Sequence, residues 1–304
     1  MHPIPAKFAQ TIREVWKEEG AAWLQQLPGL IDEYARRWGL AVGAPFEPLS
    51  YNYVAPAVRA DGREVVLKLG VPRDEIIGEI EALRLYEGHG IVQLLDADVE
   101  QGVMLLERLQ PGTSLASLDD DEQATSIAAS VMRRLWRPAS PTHQFPSVAG
   151  WFVGLSELRQ EFAGGTGPFD TRLVAQAEGA VSELLASAGE PMLLHGDLHH
   201  YNILAAERQP WLAIDPKGVV GDPAYETGPF LYNRLPDGLG PDELSTILAR
   251  RVDQLAAELP LDRQRILGWG LAQAVLSAWW SYEDHGHGWD DVMFVAEALS
   301  AIRT

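Results

Sequence analysis

The chain has 304 residues, of which 46% are hydrophobic and 22% charged, a composition typical of a globular protein with a sizeable buried core. It contains no cysteine, which excludes disulfide bonds and thiolate metal sites and suits the cytoplasm. With 43 acidic residues against 24 basic ones the net charge is −19, so we expect no nucleic-acid partner. No signal peptide is evident, and the most apolar stretch, 271–280, is too short to span a bilayer, so no membrane location is expected.

The first 109 residues predict an arrangement of both strands and helices. The predicted elements are helices over 8–18 and 22–38, strands over 46–54 and 65–69 with an Asp61-Gly62 hairpin turn before the second, a helix over 74–87, and strands over 92–96 and 103–107. Because the strands do not alternate regularly with helices, they predict an α+β lobe rather than a parallel βαβ repeat.

Lys68 lies in an apolar strand, where a long cation needs a partner. The chain has 4 lysines against 20 arginines, so a lysine at this place is informative. We predict that Glu79, in the following helix, is the partner; Glu75 and Glu81 are the alternatives. A strand lysine held by a helix glutamate contacts nucleotide phosphates in kinases. The simpler interpretation is a lysine that extends to solvent from a strand edge.

The sequence contains no glycine-rich phosphate-binding motif. The predicted first hairpin turn instead holds Ser50, whose side chain can contact phosphates together with backbone N–H groups. The backbone from Glu107 to Leu109, where the last strand ends, is the natural hydrogen-bonding edge for an adenine. We therefore expect residues 1–109 to form a nucleotide-binding lobe.

Residues 110–304 predict a mainly helical lobe. Helical spacing of apolar residues is found over 121–136, 150–162, 171–188, 241–258, 262–280 and 289–302. This part of the chain holds 26 acidic and 13 basic residues, a balance that favours a small cationic substrate.

The segment 193–204, with the sequence LLHGDLHHYNIL, carries the clearest chemical pattern. Asp197 and Asn202 are five residues apart, and Asp215 follows 13 residues later, after a predicted hairpin. Asp197 can be aimed at a substrate hydroxyl, while the Asn202 amide oxygen and the Asp215 carboxylate hold one metal ion from two sides. Phosphoryl transfer from a nucleotide requires this combination. The spacing matches the kinase catalytic loop, with His-Gly-Asp in place of His-Arg-Asp.

As a set, these residues resemble the aminoglycoside phosphotransferase family, which shares the protein-kinase-like fold. They are Lys68, Glu79, Asp197, Asn202 and Asp215. The string AIDPKGVVGDPAYE over 213–226 is similar to the streptomycin 6-phosphotransferase and hydroxyurea kinase branch. Tyr201 departs from that branch, in which a glycine is expected at this place.

The resemblance implies a bilobal α+β fold, with a small β-rich N-terminal lobe over 1–109 and a larger helical C-terminal lobe over 110–304 that carries catalysis and substrate binding. It implies that Asp197 is the catalytic aspartate and that Asn202 and Asp215 bind Mg²⁺. Lys68, held by Glu79, contacts the phosphates of ATP. The implied reaction moves the γ-phosphoryl group of ATP to a hydroxyl of a streptomycin-like aminoglycoside, which confers antibiotic resistance.

Five further residues are candidates for contact with the substrate. They are Lys217, Asp222, Glu226, Glu283 and Asp284. Carboxylates form directional hydrogen bonds with guanidinium and ammonium groups, although a solvated acidic face, or for Asp222 a structural role, is the alternative. Two other functions remain open: a kinase for another small alcohol or amine, or for hydroxyurea, and a nucleotide-binding module that transfers nothing.

Overall fold

The computed structural model describes residues 2–140, 143–236 and 238–302, and the chain divides into two compact units after Gly112. The first unit is built around an antiparallel sheet and the second is mainly helical. The division lies three residues beyond residue 109, where the sequence placed it. Within the described residues, no helix has both the length and the apolar character needed to cross a membrane.

Five strands form the sheet of the first unit. They are β1 (Leu40–Val42), β2 (Tyr53–Arg59), β3 (Glu64–Leu69), β4 (Leu94–Asp98) and β5 (Val103–Glu107), and all neighbours are antiparallel in the order β1-β2-β3-β5-β4. The Asp61-Gly62 turn between β2 and β3 is present as predicted: Gly62 has a φ of 85°, and the Asp61 carboxylate accepts a hydrogen bond from the Arg63 N–H (3.0 Å). Strand β3 is central, so its inward side chains are buried. The strand β6 (Pro111–Ser114) lies at the division between the units.

The first helix, α1 (Ala6–Trp38), is broken at Lys17, whose φ of 48° and ψ of −121° are not helical. The sequence predicted two helices in this region, and the break divides α1 into two arms. Both arms contribute to one apolar core: Phe8 from the first and Trp23 from the second pack together with sheet residues such as Leu67. The helical spacing of the apolar residues therefore reflects their burial against the sheet.

The second helix, α2 (Asp74–Tyr86), begins with acidic residues and ends where Glu87 takes a left-handed conformation with a φ of 50°. Acidic residues in the first turn are favourable because they face the positive end of the helix dipole. Its buried face carries Ile76 and Ile80, and also Glu79. The helix therefore delivers one carboxylate into the interior of the unit.

The second unit contains eight helices among the described residues. They are α3 (Asp121–Leu135), α4 (Val148–Trp151), α5 (Val153–Glu161), α6 (Thr171–Ala186), α7 (Thr227–Tyr232), α8 (Pro241–Glu258), α9 (Arg263–His285) and α10 (Trp289–Ala301). Each of the six helices predicted from the sequence is present, although one is divided into α4 and α5 and another extends to His285. Helix α9 is central, since it packs against α5, α6, α7, α8 and α10.

Short strands of the second unit flank the two loops that carry predicted site residues. The strands are β7 (Arg137–Pro138), β8 (Met192–Leu194), β9 (Ile203–Ala206), β10 (Trp211–Ala213) and β11 (Val219–Gly221). Strand β8 lies between β7 and β11 and is antiparallel to both, while β9 and β10 form the predicted hairpin. The loop from β8 to β9 contains Asp197 and Asn202, and the loop from β10 to β11 contains Asp215.

Candidate active site

The loop after β8 begins with a tight turn at Gly196. Its φ is 88°, and a Cβ atom at this position would lie 2.9 Å from both Trp151 Cη2 and Val219 Cγ1. Glycine is therefore required here for two reasons, a left-handed backbone and the lack of space for a side chain. The turn sends Asp197 out of the strand with its side chain half-exposed.

His195 connects this loop to the loop that carries Asp215. Its ring is fully buried, and Nε2 donates to the Ile214 carbonyl oxygen (2.7 Å) while Nδ1 accepts a longer hydrogen bond from the Asp197 N–H (3.3 Å). Burial lowers the pKa of His195 to about 4, so the ring is neutral at physiological pH. The His195 carbonyl oxygen also accepts the Lys217 N–H (2.8 Å). His195 therefore fixes the relative position of the two loops.

The Glu226 carboxylate fixes the turn at Gly196 through hydrogen bonds. Its two carboxylate oxygens accept hydrogen bonds from the backbone N–H groups of His195 (2.6 Å) and Gly196 (2.9 Å). Burial raises the pKa of the carboxyl group to about 7, although the two N–H donors oppose that shift. The carboxylate is fully buried and committed to the backbone, so the prediction that Glu226 contacts the substrate is wrong; it positions the residues just before Asp197.

Asp222 is likewise a structural residue and not a substrate ligand. Its buried carboxylate accepts hydrogen bonds from the Arg265 guanidinium and from the Trp269 indole N–H (2.9 Å), and it also caps the short 3₁₀ turn at Ala224. These bonds join the segment after β11 to helix α9. The prediction of substrate contact is wrong because this carboxylate is enclosed among protein donors.

The Asn202 amide is held in one orientation by the loop itself. Its Nδ2 donates to the Asp197 carbonyl oxygen (3.0 Å), and its backbone carbonyl accepts the Ile214 N–H (2.9 Å). With the amide nitrogen turned toward the backbone, Oδ1 faces away from it and can accept a cation. Ile214 directly precedes Asp215, so the two predicted metal ligands are connected through one backbone hydrogen bond.

Asp215 takes a left-handed conformation with a φ of 59°. Such a conformation is uncommon for residues other than glycine, although aspartate and asparagine adopt it most readily. Lys217 follows two residues later and is half-buried, and its charge lowers the pKa of both His195 and His199. The positive charge of Lys217 therefore lies close to the loop that carries Asp197.

His199 lies beside Asp197 and is not among the residues predicted from the sequence. Its Nδ1 accepts the Tyr201 N–H (3.2 Å), so the ring proton is on Nε2, which lies 3.7 Å from the nearer Asp197 carboxylate oxygen. Burial lowers the pKa of His199, and the charges of Asp197 and Asp215 oppose this. Its place inside the Asp-x-x-x-x-Asn loop was the only available signal.

Tyr201 lies in the short 3₁₀ turn His200–Asn202 and does not have the positive φ that would favour glycine. The Tyr201 ring is exposed and packs edge-on against His199, with ring centroids 5.9 Å apart. This turn is held by the Ser114 hydroxyl, which donates to the His200 carbonyl oxygen (2.9 Å), and by the His200 ring, which stacks on Phe230.

In the first unit, Lys68 and Glu79 form a buried ion pair. Lys68 Nζ lies 2.7 Å from a Glu79 carboxylate oxygen, and the two residues are only 1% and 6% exposed. The alternatives Glu75 and Glu81 are exposed, and Glu81 pairs with Arg84 instead. Burial of an ion pair adds little net stability, so its position on the central strand fits a functional requirement.

The remaining predicted residues occupy the following places. Ser50 is exposed in the loop between β1 and β2, and Leu109 is buried. Glu107 ends β5, and its backbone N–H and carboxylate are both hydrogen-bonded to the Gln93 backbone (3.0 and 2.8 Å). Glu283 and Asp284 are exposed near the end of α9.

Glu283 faces other acidic side chains. Nearby protein atoms desolvate its carboxyl group and raise its pKa, and the negative charges of Glu157, Asp284 and Glu161 act in the same direction. Helices α5 and α9 therefore present a common negatively charged surface.

A solved structure establishes the fold. The fold is similar to that of the aminoglycoside phosphotransferase APH(4)-Ia in a ternary complex with ADP and hygromycin B, with a TM-score of 0.62 and 16% identity over 89% of this chain and 96% of that one. The predicted protein-kinase-like fold is therefore confirmed. The chain has the fold of this class of protein.

The sequence comparisons identify the family. Residues 42–285 match the model of the aminoglycoside/hydroxyurea antibiotic resistance kinases. The streptomycin 6-kinase of Streptomyces glaucescens is 38% identical over 97% of this chain and 96% of its own length. The hydroxyurea phosphotransferase of Kitasatospora aureofaciens is 37% identical over 92% of this chain and 81% of its own length. The protein belongs to the aminoglycoside/hydroxyurea antibiotic resistance kinase family.

Proposed function

We propose that the protein uses ATP to phosphorylate a hydroxyl group of a streptomycin-like aminoglycoside. The observation that carries the reaction is the pair of loops in the second unit, where Glu226 and His195 fix the backbone that leads into a half-exposed Asp197. The acceptor is supported by the identity with a streptomycin 6-kinase over almost the whole chain. Such a reaction protects a cell from the antibiotic, and its need for ATP places it in the cytoplasm.

Asp197 acts on the acceptor. Its carboxylate orients the hydroxyl group and accepts its proton while the hydroxyl oxygen attacks the γ-phosphorus in line. A bond forms between that oxygen and the γ-phosphorus, and the bond from the γ-phosphorus to the β–γ bridging oxygen breaks, which leaves ADP. Most of the rate enhancement comes from positioning, because the protein forms no covalent intermediate.

Asn202 and Asp215 fit a magnesium site by the chemistry of their donors. An amide oxygen and a carboxylate are hard oxygen ligands, and Mg²⁺ in kinases takes one or two such protein ligands together with phosphate oxygens. The orientation of the Asn202 amide, fixed through Nδ2, is consistent with that role. Magnesium, when bound, offsets the negative charge of the phosphates.

The first unit supplies the nucleotide contacts in this proposal. Lys68, held by Glu79, places its positive charge on the ATP phosphates. Ser50 contacts phosphate from its exposed loop, and the backbone of Glu107 and Leu109 binds the adenine edge. The first unit is thus the nucleotide-binding lobe and the second the catalytic and acceptor-binding lobe.

Charged side chains of the second unit bind the acceptor and the transferred phosphoryl group. Glu283 and Asp284, on the acidic surface of α9, pair with guanidinium or ammonium groups. Lys217, beside the loop of Asp197, stabilises charge that develops on the transferred group.

An acceptor panel tests the proposal. Purified protein is incubated with ATP and Mg²⁺ and with streptomycin, other aminoglycosides, choline or hydroxyurea, and ADP release and phosphorylated product are measured. We expect acceptor-dependent ADP release with streptomycin and a single phosphorylated product. The second candidate function is phosphorylation of hydroxyurea, which the 37% identity with a hydroxyurea phosphotransferase favours. Nucleotide binding without turnover on any acceptor would contradict both.

A further inference from the structure

The break in α1 forms a sharp corner. In a straight helix residues eight positions apart are separated by about 12 Å, yet a Cβ atom at Gly20 would lie 2.3 Å from the Ile12 carbonyl oxygen. The rings of Phe8 and Trp23, on different arms, are 6.2 Å apart. The two arms therefore fold back on each other at Lys17, and the absence of a side chain at Gly20 permits this close approach.

The corner contacts the loop between β1 and β2. We call residues 47–52 the nucleotide loop. The Trp16 ring packs edge-on against Tyr51 of this loop, with ring centroids 5.8 Å apart and an interplanar angle of 84°. Leu49 packs on the same apolar core as Trp16. Ser50, between these two anchored residues, is exposed, so the loop presents its phosphate-contact candidate to solvent.

The other side of the nucleotide loop lies against the end of strand β3. A Cβ atom at Gly70 would lie 2.3 Å from Asn52 Oδ1, so glycine allows the loop to approach the strand end closely. Gly70 is two residues beyond Lys68, and its N–H donates to the Gly102 carbonyl oxygen (3.0 Å). The nucleotide loop is therefore held between the corner of α1 and the strand that carries Lys68.

The same corner also contacts the start of α2. Glu19 forms an ion pair with Arg73, the residue that precedes this helix. An exposed ion pair contributes little energy, so the aromatic contact between Trp16 and Tyr51 is the stronger of the two. Both contacts nevertheless place the corner beside the elements that carry Ser50 and Glu79.

We propose that the corner of α1, through the contact of Trp16 with Tyr51, positions the nucleotide loop and thereby sets the affinity for ATP. The inference rests on the proposed function, in which the ligand of this loop is ATP. This contact explains how the nucleotide loop could bind phosphate without a glycine-rich motif. Packing against α1 fixes its conformation, whereas in a glycine-rich loop tight turns do so. Trp16 is a positioning residue, and α1 precedes residues 42–285 that match the family model.

The test compares two tryptophans on the same helix. Trp38 is also half-buried and also pairs with a tyrosine, Tyr34 (4.9 Å between ring centroids), but it is the last residue of α1 and lies outside the corner. We expect Trp16→Leu to raise the Kd and the KM for ATP about three- to tenfold, the range of one aromatic contact. The kcat and the KM for streptomycin should stay at wild-type values. Trp38→Leu should lower the Tm as Trp16→Leu does, yet leave the Kd for ATP unchanged.

A double-mutant cycle isolates the contact. Tyr51→Leu should weaken ATP binding as Trp16→Leu does, and the double variant should be no weaker than either single one. Trp16→Phe retains a ring and should retain most of the affinity. Calorimetric Kd values for ATP serve as the main readout, because they do not require an acceptor.

Three outcomes would overturn the inference. The two tryptophan variants could weaken ATP binding equally, the single effects could add in the double variant, or ATP affinity could be unchanged in Trp16→Leu while the wild type phosphorylates streptomycin. A wild type that binds ATP but phosphorylates no acceptor would instead contradict the proposed function and leave the comparison of Kd values valid. A wild type that binds no ATP would overturn both.

Discussion

The two units support their predicted functional residues by different means. In the first, Lys68 forms a buried side-chain ion pair with Glu79. In the second, the backbone before Asp197 is held by Glu226 and His195, while the Asp197 carboxylate itself remains half-exposed. The charge of Lys68 is thus fixed by another charge, whereas the loop that carries the proposed proton acceptor is positioned through its backbone.

Among changes to the residues that support the two units, the largest effect is expected from breaking the ion pair. Lys68→Met should lower kcat/KM about 10²- to 10³-fold, the range for loss of one electrostatic contact in the transition state. It should also destabilise the protein by about 3–5 kcal/mol, because Glu79 is left buried without its cation. Steady-state kinetics and urea unfolding measure the two effects separately.

The double variant Lys68→Met with Glu79→Leu separates function from stability. It should recover most of the lost free energy of unfolding, because apolar residues replace both buried charges. It should recover none of the activity. Recovery of activity in this variant would show that the ion pair serves the fold alone.

A smaller effect is expected from weakening the backbone support of the second unit. Glu226→Gln leaves one carbonyl oxygen where two carboxylate oxygens accepted N–H groups, so one of the donors from His195 and Gly196 loses its acceptor. We expect kcat to fall about tenfold, which corresponds to about 1.4 kcal/mol, with little change in the KM for ATP. Asp222→Asn is the matched control, because it also alters a buried carboxylate but contacts α9 rather than the loop.

The outcome of this comparison decides whether Glu226 acts through the loop. Both variants should lower the Tm, but only Glu226→Gln should lower kcat. An equal loss of kcat in both variants would mean that general destabilisation, and not loop position, explains the effect.

The smallest effect concerns an ion pair that supports the helices of the second unit. Arg251 is buried, donates to the carbonyl oxygens of Phe230 and Leu231, and binds the Asp121 carboxylate (2.6 Å). Burial alone raises the pKa of Asp121, but hydrogen bonds and charge from Arg251 and Arg250 outweigh it, so the pKa lies below its ordinary value of 3.8.

The direction of the pH dependence follows from this shift. A carboxyl group with a lowered pKa in the folded state stabilises the protein above its unfolded pKa, and this stabilisation disappears as the pH falls through the folded pKa. The Tm of the wild type should therefore decrease below about pH 4 more steeply than that of Asp121→Asn. Parallel curves for the two proteins would contradict the assigned role.

Much of the fold could be predicted from the sequence because its signals are local. The Asp61-Gly62 turn, the hairpin before Asp215 and the helices of the second unit follow from turn chemistry and apolar spacing. The fold-back of α1 could not be predicted in this way. Apolar spacing predicted two helices. The corner, however, depends on the positive φ of Lys17 and on contacts between residues distant in sequence.

The residue types of the candidate site could be predicted from the sequence, but the residues that hold them in position could not. Lys68 required a partner, but only burial distinguishes Glu79 from its exposed neighbours. Asp222 and Glu226 were interpreted as substrate ligands because the sequence does not show whether a carboxylate is buried. A carboxylate that accepts hydrogen bonds from the protein and one that binds a cation are the same residue type. His199 was not predicted because its proximity to Asp197 is visible only in the folded structure.

The most direct test of the account is the comparison of the wild type with Asp197→Asn, in which turnover with streptomycin and the Kd for ATP are measured on the same preparations. We expect turnover to fall at least about 10²- to 10⁴-fold, as for loss of a general base, while the Kd for ATP stays within error of the wild type. Retention of turnover in the variant would contradict the assignment of Asp197, and with it the central claim that the backbone of this loop is built to position one proton-accepting carboxylate.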